Sequence, residues 1–508
     1  MLAPDYLDHA PDRLILLWQQ AEDDILRDVA RRIGKMDALT PTVNWQLWRY
    51  QQTEAVRKDV VKLLARYTGK SEAEIRRLMK EAATAALEAE DEIYYHYGKE
   101  PTPFEESTAL QNLLNAGYRQ TAGSFSNLTA TTANTVSGAF EQALDRAWLQ
   151  VSSGAFDYKT AVKRAVDGLA DSMPYVTYPS GHRDTLEVAC RRAVLTGVNQ
   201  TGAKLQEARM DEMGASFVEV TAHGGARPSH AVWQGRRYHR GGAVDYLGQH
   251  YEDFESATGY GTGAGLCGWN CRHTFFVVFP ELGSPPAWTQ ESLEALNARD
   301  IEYDGGLYTR YEISQMQRAR ERAVRKWKRR YLAEVAAGAD TTASTVKLRQ
   351  ARQSLADFTR ATGGRVDSAR TSVHGFGRSE ASRASYAARK QERFNAANTE
   401  LQQMREAGTI KAKGRLIESP SAPNEINFAS DHVLQRWAER GMGPMDAERI
   451  IRSSKVAMSQ RNGTQTCYYS ELGFVAIGQD GNVSSIGPLD EGGKKLMEVV
   501  KKHGIPHS

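Results

Sequence analysis

Residues 265–279, from Gly265 to Phe279, read GLCGWNCRHTFFVVF and hold two of the four cysteines in a chain of 508 residues. The apolar end, HTFFVVF, is β-branched and aromatic on both faces, as in a buried strand. If that strand begins near Cys271, then Cys271 and His273 share a face with Phe275, Val277 and Phe279. Five of the twelve histidines lie close by: His223, His230, His239, His250 and His273. Cys267, Cys271, His273 and His230 could together supply a Cys₂His₂ set for a structural zinc ion, the one cofactor the residues suggest. A disulfide, and a metal-free turn with buried thiols, are the other readings. The residues do not favour redox catalysis, because no Cys-x₂-Cys precedes a helix. The glycines at 259, 261, 263, 265 and 268 lack the strand-before, helix-after context of a phosphate loop. They suit a loop that turns tightly against other backbone.

Outward from this stretch the period changes. SFVEVTA, just after residue 215, alternates like a strand, whereas residues 1 to about 205 carry helical stripes. In DRLILLWQQAEDDILRDVARRI the stripe is Leu14, Leu17, Trp18, Ile25, Val29 and Ile33. A second helix is expected to stop at Gly69, and Ser71 with Glu74 to cap a third. Helix resumes in YEISQMQRARERAVRKWKRRYLAEVAAG, followed by a polar tract too poor in large apolar residues to bury much surface alone. ESPSAPNE, at 418–425, marks a boundary. After it, a helix capped at Ser430 or Asp431, a second helix after Pro444, the strand-like runs TCYYS, FVAIG and NVSSIG, and a last helix follow. The Asp480-Gly481 turn is a hairpin signal. The expected fold class is multidomain α+β: a helical region over 1–205, a small α+β domain over 206–290, a basic helix with an extended arm or linker over 291–425, and an α+β domain with a β-meander over 426–508.

Charged residues make up 25% of the chain, yet the net charge is only +3, so any basic surface is local. One local concentration is the helix bearing Arg318, Arg322, Arg325 and Arg329, which is either a solvated face or a contact for DNA or an acidic protein. A second is His432, Arg436 and Arg440, spaced to line one side of a helix. Such a stripe suits metal-free RNA cleavage, with His432 moving a proton and the arginines stabilising the phosphorane. The alternative is an exposed basic face packed on a small sheet. The start of the chain lacks the features of a secretory signal and no apolar run is long enough to span a membrane, so a soluble protein made in the cytoplasm is expected.

The runs TAHGGARPSHAVWQGRRY, GYGTGAGLCGWNCRH and YTRYEISQMQRARERAVRKWKR, with WRYQQTEAVRKDVVKLLARYTGKSEAEIRRLMKEA upstream, resemble the minor capsid proteins of tailed bacteriophages, relatives of the Mu F-like head morphogenesis proteins. The likeness covers roughly residues 1–375, and its matched positions are His230, Trp233, Gly235, Cys271, Arg272 and His273. It implies a virion protein of the phage head, bound near portal, major capsid or scaffolding protein or packaged DNA. Residues 426–508 look like phage-associated nuclease domains of the barnase, EndoU and RelE kind, which implies a ribonuclease toxin acting on host RNA. Ser484 and Ser485 stand where that family often places a Thr.

Overall fold

Up to Met213 the chain is mostly helix, because apolar residues return at helical spacing. The computed structural model describes residues 1–35, 43–172, 175–178, 181–418, 426–428 and 431–506. The chain divides into two compact units, Met1–Glu380 and Ala381–Ser508. In the first, α1 (Pro4–His9) and α2 (Asp12–Gly34) precede α3 (Val43–His96), α4 (Thr108–Ser152) and α5 (Tyr158–Ser172). The hairpin of β1 (Tyr175–Thr177) and β2 (Arg183–Thr185) then leads into α6 (Leu186–Met213). Leu14, Trp18, Ile25, Val29 and Ile33 of α2 are buried, as their spacing predicts, and Leu17 packs against the same core while partly exposed.

The expected break at Gly69 does not occur, and α3 runs through it without interruption. Ser71, expected as a cap, donates its hydroxyl to Tyr67 O at 2.8 Å and accepts Trp18 Nε1 at 2.9 Å. A helical glycine costs roughly 1 kcal/mol against alanine. Leu64 and Ile75, buried on either side of it, each gain about 1.5–3 kcal/mol from burial, so the apolar stripe prevails.

Helices α3 and α4 form an antiparallel pair. Arg49 meets Asp145 at 2.6 Å, and Arg76 lies 4.0 Å over the Tyr118 ring. Helices α4 and α6 approach through reciprocal Gly–Thr pairs. A Cβ on Gly117 would stand 2.1 Å from Thr201 Oγ1, and one on Gly197 would stand 2.1 Å from Thr121 Oγ1.

Gly214, at φ 66°, ends α6 in the left-handed conformation and turns the chain into a mixed five-stranded sheet. Its elements are β3 (Phe217–Val220), α7 (Pro228–Ala231), β4 (Arg237–His239), β5 (Val244–Tyr246), β6 (Gln249–Asp253), α8 (Phe254–Thr258) and β7 (Phe275–Val277), with strand order β5-β6-β4-β3-β7. β3 pairs antiparallel with β7, Val218 opposite Val277 and Val220 opposite Phe275. The outer edge of β7 is closed by the bundle. The fully buried Glu90 of α3 accepts Val277 N–H at 3.0 Å, and Gln206 of α6 donates Nε2 to Phe275 O at 2.8 Å and to Glu90 at 3.0 Å.

Beyond the sheet come α9 (Gln290–Asn297) and a hairpin of β8 (Ile301–Tyr303) and β9 (Gly306–Tyr308), turned on Asp304-Gly305. That Asp-Gly pair is a hairpin signal the sequence reading did not use. Then follow α10 (Arg310–Ala337), opened by a Thr309–Glu312 capping box, α11 (Thr342–Ala361) and α12 (Ser368–Thr371). The cations of α10 mostly point into the protein. Arg329 donates to Glu22 and Asp23 at 2.7 Å each, Arg325 meets Glu187 at 2.9 Å, and Arg330 reaches Asp167.

The second unit contains most of α13 (Arg378–Glu406), whose Ala384, Ala388, Phe394, Ala397 and Leu401 are buried. It also holds β10 (Arg415–Glu418), α14 (Asp431–Ala438), α15 (Pro444–Ser453), β11 (Val456–Gln460), β12 (Gln465–Ser470), β13 (Gly473–Gly478), β14 (Val483–Gly487) and α16 (Glu491–Lys502). The strands form an antiparallel meander in sequence order, longer than the expected three strands by β10 and β11. One face packs on α13 and α16 through Met458, Cys467 and Leu496, and the other on α14 and α15 through Trp437, Ile450 and Val475. The boundary expected at 418–425 lies, after Glu418, outside the described residues, as do Ser430 and the side chain of Asp431.

The buried carboxyl groups that face α10 make stability depend on pH. Burial pushes the Glu22 carboxyl up to about 8, against Arg329 and with Asp23 adding to the rise. The folded chain therefore keeps a proton that the unfolded chain loses near 4.5. Stability should fall as pH rises between these two values and level off above them. Glu22→Gln, which keeps an acceptor for Arg329, should flatten this slope in melting temperatures measured across that range; an unchanged slope would contradict the assignment.

Candidate metal centre

His230 sits on α7, a single turn opened by Pro228 at its first position. Cys271 and His273 occupy the segment entering β7. Asn199 of α6 holds that segment by donating Nδ2 to Cys271 O and His273 O, both at 3.0 Å. The loop before it depends on missing side chains. A Cβ on Gly265 would lie 2.0 Å from Gly259 O, and one on Gly268 would lie 2.5 Å from Gly263 O. This is the close backbone approach expected of the glycine run.

The three side chains converge. Nδ1 of His230 is 3.5 Å from Nδ1 of His273, and Cys271 Sγ is 3.6 Å from each. Each imidazole places Nε2 on a carbonyl oxygen: His230 on Ala264 O at 2.9 Å and His273 on Gln234 Oε1 at 3.0 Å. A carbonyl only accepts, so both protons sit on Nε2 and both Nδ1 lone pairs face the sulfur. Gln234 is itself oriented, with Oε1 accepting His223 N–H at 3.1 Å and Nε2 donating to Asn297. Ligands held from behind in this way are what a metal site requires. Tetrahedral zinc bonds of about 2.0–2.1 Å to nitrogen and 2.3 Å to sulfur imply roughly 3.4 Å between nitrogens and 3.6 Å between nitrogen and sulfur. The observed spacings fit those values, and His230, Cys271 and His273 could hold a metal ion.

Electrostatics favour the same state of the histidines. Burial holds His230 down to about 4, and it also lowers His273 well below its ordinary range, with His223 and His230 adding to the drop. Both rings are neutral at physiological pH and available to coordinate. Burial raises the Cys271 thiol, opposed by the backbone N–H groups of His273 and Cys267, so binding a metal there would release a proton.

Cys267, expected as a fourth ligand, is not part of the group. Its backbone takes φ 56°, which turns the buried thiol toward His273 O at 3.6 Å instead. Both Cys267 and Cys271 are free thiols, so the disulfide reading is not realised. Sequence reasoning missed Gln234 and Ala264, although both lie within the motif runs, Gln234 four residues after His230, and it missed Asn199, which reaches the site from α6 with no spacing pattern.

The centre lines one side of a cavity of about 360 Å³ in the first unit. Of the arginines singled out on α10, Arg318, Arg322 and Arg325 also line it, whereas Arg329 is held by Glu22 and Asp23. In the second unit, Arg440 donates Nη1 to Ile486 O of β14 at 2.9 Å. His432 and Arg436 lie on α14, but their side chains are outside the described residues. Ser484 accepts Gln465 Nε2 at 2.6 Å and donates to Ala476 O at 3.1 Å.

Residues 2–360 match the family model of phage minor capsid protein 2, a span that contains the helical bundle, the sheet and the three converging ligands. No curated protein and no solved structure matches the chain. No helix among the described residues is long and apolar enough to cross a membrane. The chain belongs to the phage minor capsid protein 2 family and is a structural protein of the phage head.

Proposed function

We propose that this protein docks to its neighbours in the head, portal or scaffolding protein foremost, through the end of the α3–α4 hairpin. The match over residues 2–360 carries the reading. The hairpin end supports the choice of surface. Trp45 stacks on Trp48 and Trp148 at 5.2 and 6.2 Å, and Leu47, Tyr50 and Leu149 beside them are 58–64% exposed. An aromatic cluster rimmed by exposed apolar side chains is the composition of a protein-binding hot spot. Tyr50→Asp with Leu149→Asp should leave the chain folded and reduce its copies in purified heads by about tenfold, as loss of roughly 1.4 kcal/mol would do. Quantitative mass spectrometry of particles measures this, and full incorporation of the folded double variant would refute the docking face.

The converging histidines and Cys271 support a structural zinc ion, which when bound would lock α7 and the segment 271–273 onto one point and supply no turnover. Protein prepared without chelator should carry about one equivalent of zinc. His273→Ala should retain less than about a tenth of that and melt at a lower temperature. Wild-type protein without zinc under these conditions would end the reading.

A second reading concerns the last unit. Arg440 is held against β14 just beyond α14, the helix that carries His432 and Arg436 one turn apart. That arrangement supports a metal-independent ribonuclease borne by a structural body. The full chain should then cleave transfer RNA in the presence of EDTA, and His432→Ala should reduce the rate at least about a hundredfold. RNA left intact across a range of pH and salt would leave only the structural role.

A further inference from the structure

The cavity beside the metal centre is walled by seven arginines against three carboxylates. Two carboxylates are already engaged inside the protein. Glu187 is paired with Arg325 at 2.9 Å, and Glu321 accepts Gln317 Nε2 at 2.9 Å. The third, Asp8 of α1, stands among four guanidinium groups: Arg370 at 3.2 Å, Arg272 at 3.6 Å, and Arg191 and Arg318 at 3.8 Å each. Only the first of these distances is a hydrogen bond. Arg191 has a further partner in Asp12 at 3.4 Å and Arg370 one in Asp367 at 3.1 Å, so the excess of donors falls on Arg318 and Arg322. Among the described residues, Arg318 Nε is fully buried with no hydrogen-bond partner, and Arg318 Nη2 has only the long approach to Asp8. Arg322, one helical turn further along α10, makes no ion pair or hydrogen bond among the described residues and is exposed on the cavity wall. Arg227, across the cavity, donates to Trp269 O at 2.7 Å and has no carboxylate partner among the described residues.

These unsatisfied forks surround a volume of about 360 Å³. That is at the small end of the range for small-molecule sites, too small to enclose a macromolecule. Guanidinium groups recognise tetrahedral oxyanions by paired N–H donors at fixed geometry. Burial first, and then the neighbouring Arg370, bring Arg318 down to about 10, and an anion beside it would oppose both effects. We infer that this cavity is a binding site for a phosphate group, carried by inorganic phosphate or by a small phosphate monoester, with Arg318 and Arg322 as its principal donors. The inference does not rest on the metal reading, since the donors that carry it belong to α10.

The full-length protein tests this by calorimetry and thermal shift, with inorganic phosphate, adenosine monophosphate and a duplex DNA fragment as separate probes. Phosphate or the nucleotide should bind and raise the melting temperature, the better of the two identifying the source. Arg322→Gln and Arg318→Gln should each weaken binding by about tenfold or more, the loss expected for one charge-assisted hydrogen bond, and Arg322→Lys should weaken it less. Arg360→Gln, on the exposed end of α11, should change nothing. Folding of each variant is checked by its circular dichroism and unliganded melting curve. The inference fails if neither small probe binds folded wild-type protein at about 10 mM, a limit near −2.7 kcal/mol of binding free energy. It also fails if the folded Arg318→Gln and Arg322→Gln chains bind as tightly as wild type, or if only the duplex binds.

Discussion

The outer edge of β7 is the constraint on which the first unit depends. An edge strand exposes N–H and C=O groups that must find partners, and buried against helices they cannot find water. Glu90 and Gln206 take the groups of Val277 and Phe275, and Asn199 takes the carbonyls of Cys271 and His273. Side chains of two helices thus replace the strand that a larger sheet would add. Losing such a partner strands a buried polar group, at about 1–3 kcal/mol each. The same hydrogen bonds set the direction of the segment that carries Cys271 and His273, so the joint between bundle and sheet also shapes the candidate metal centre.

Helix α10 inverts the usual distribution of charge. A helix this rich in arginine and lysine would ordinarily lie in solvent, but here its cations enter the bundle and meet acids from α2, α5 and α6. Breaking one buried pair by removing a single partner costs about 3–5 kcal/mol, because the other charge stays behind. The arrangement specifies a unique seating for α10 more than it adds net stability. Toward its first half the supply of carboxylates runs short, and the cavity lies where the arginines outnumber them. A soft nitrogen and sulfur centre and a hard guanidinium wall therefore share one recess.

Much of this was legible in the sequence. The stripe of α2, the strand character of HTFFVVF and the turn-forming role of the glycines all follow from local rules, because each depends on neighbours within a few residues. What was not legible depends on partners far along the chain. Gly69 lies inside α3 because Trp18, 53 residues from Ser71, anchors the next turn. Arg329 is internal because Glu22, 307 residues away, waits for it. Cys271 and His273 could be placed together by their alternation. The departure of Cys267 could not, because it follows from a positive φ at a residue that rarely adopts one. The hairpin on Asp304-Gly305 carries the same local turn signal as Asp480-Gly481 and was legible too.

Helix α3 begins among the stacked tryptophans and carries Glu90 near its other end. From Trp45 to Glu90 a helix rises roughly 65–70 Å, with α4 bracing much of its length. The hairpin is therefore a ruler. A neighbour gripping its open, tryptophan-bearing end would hold the sheet and its cation-lined recess at a set stand-off, and any insertion within the rod would change both that spacing and the direction in which the recess faces.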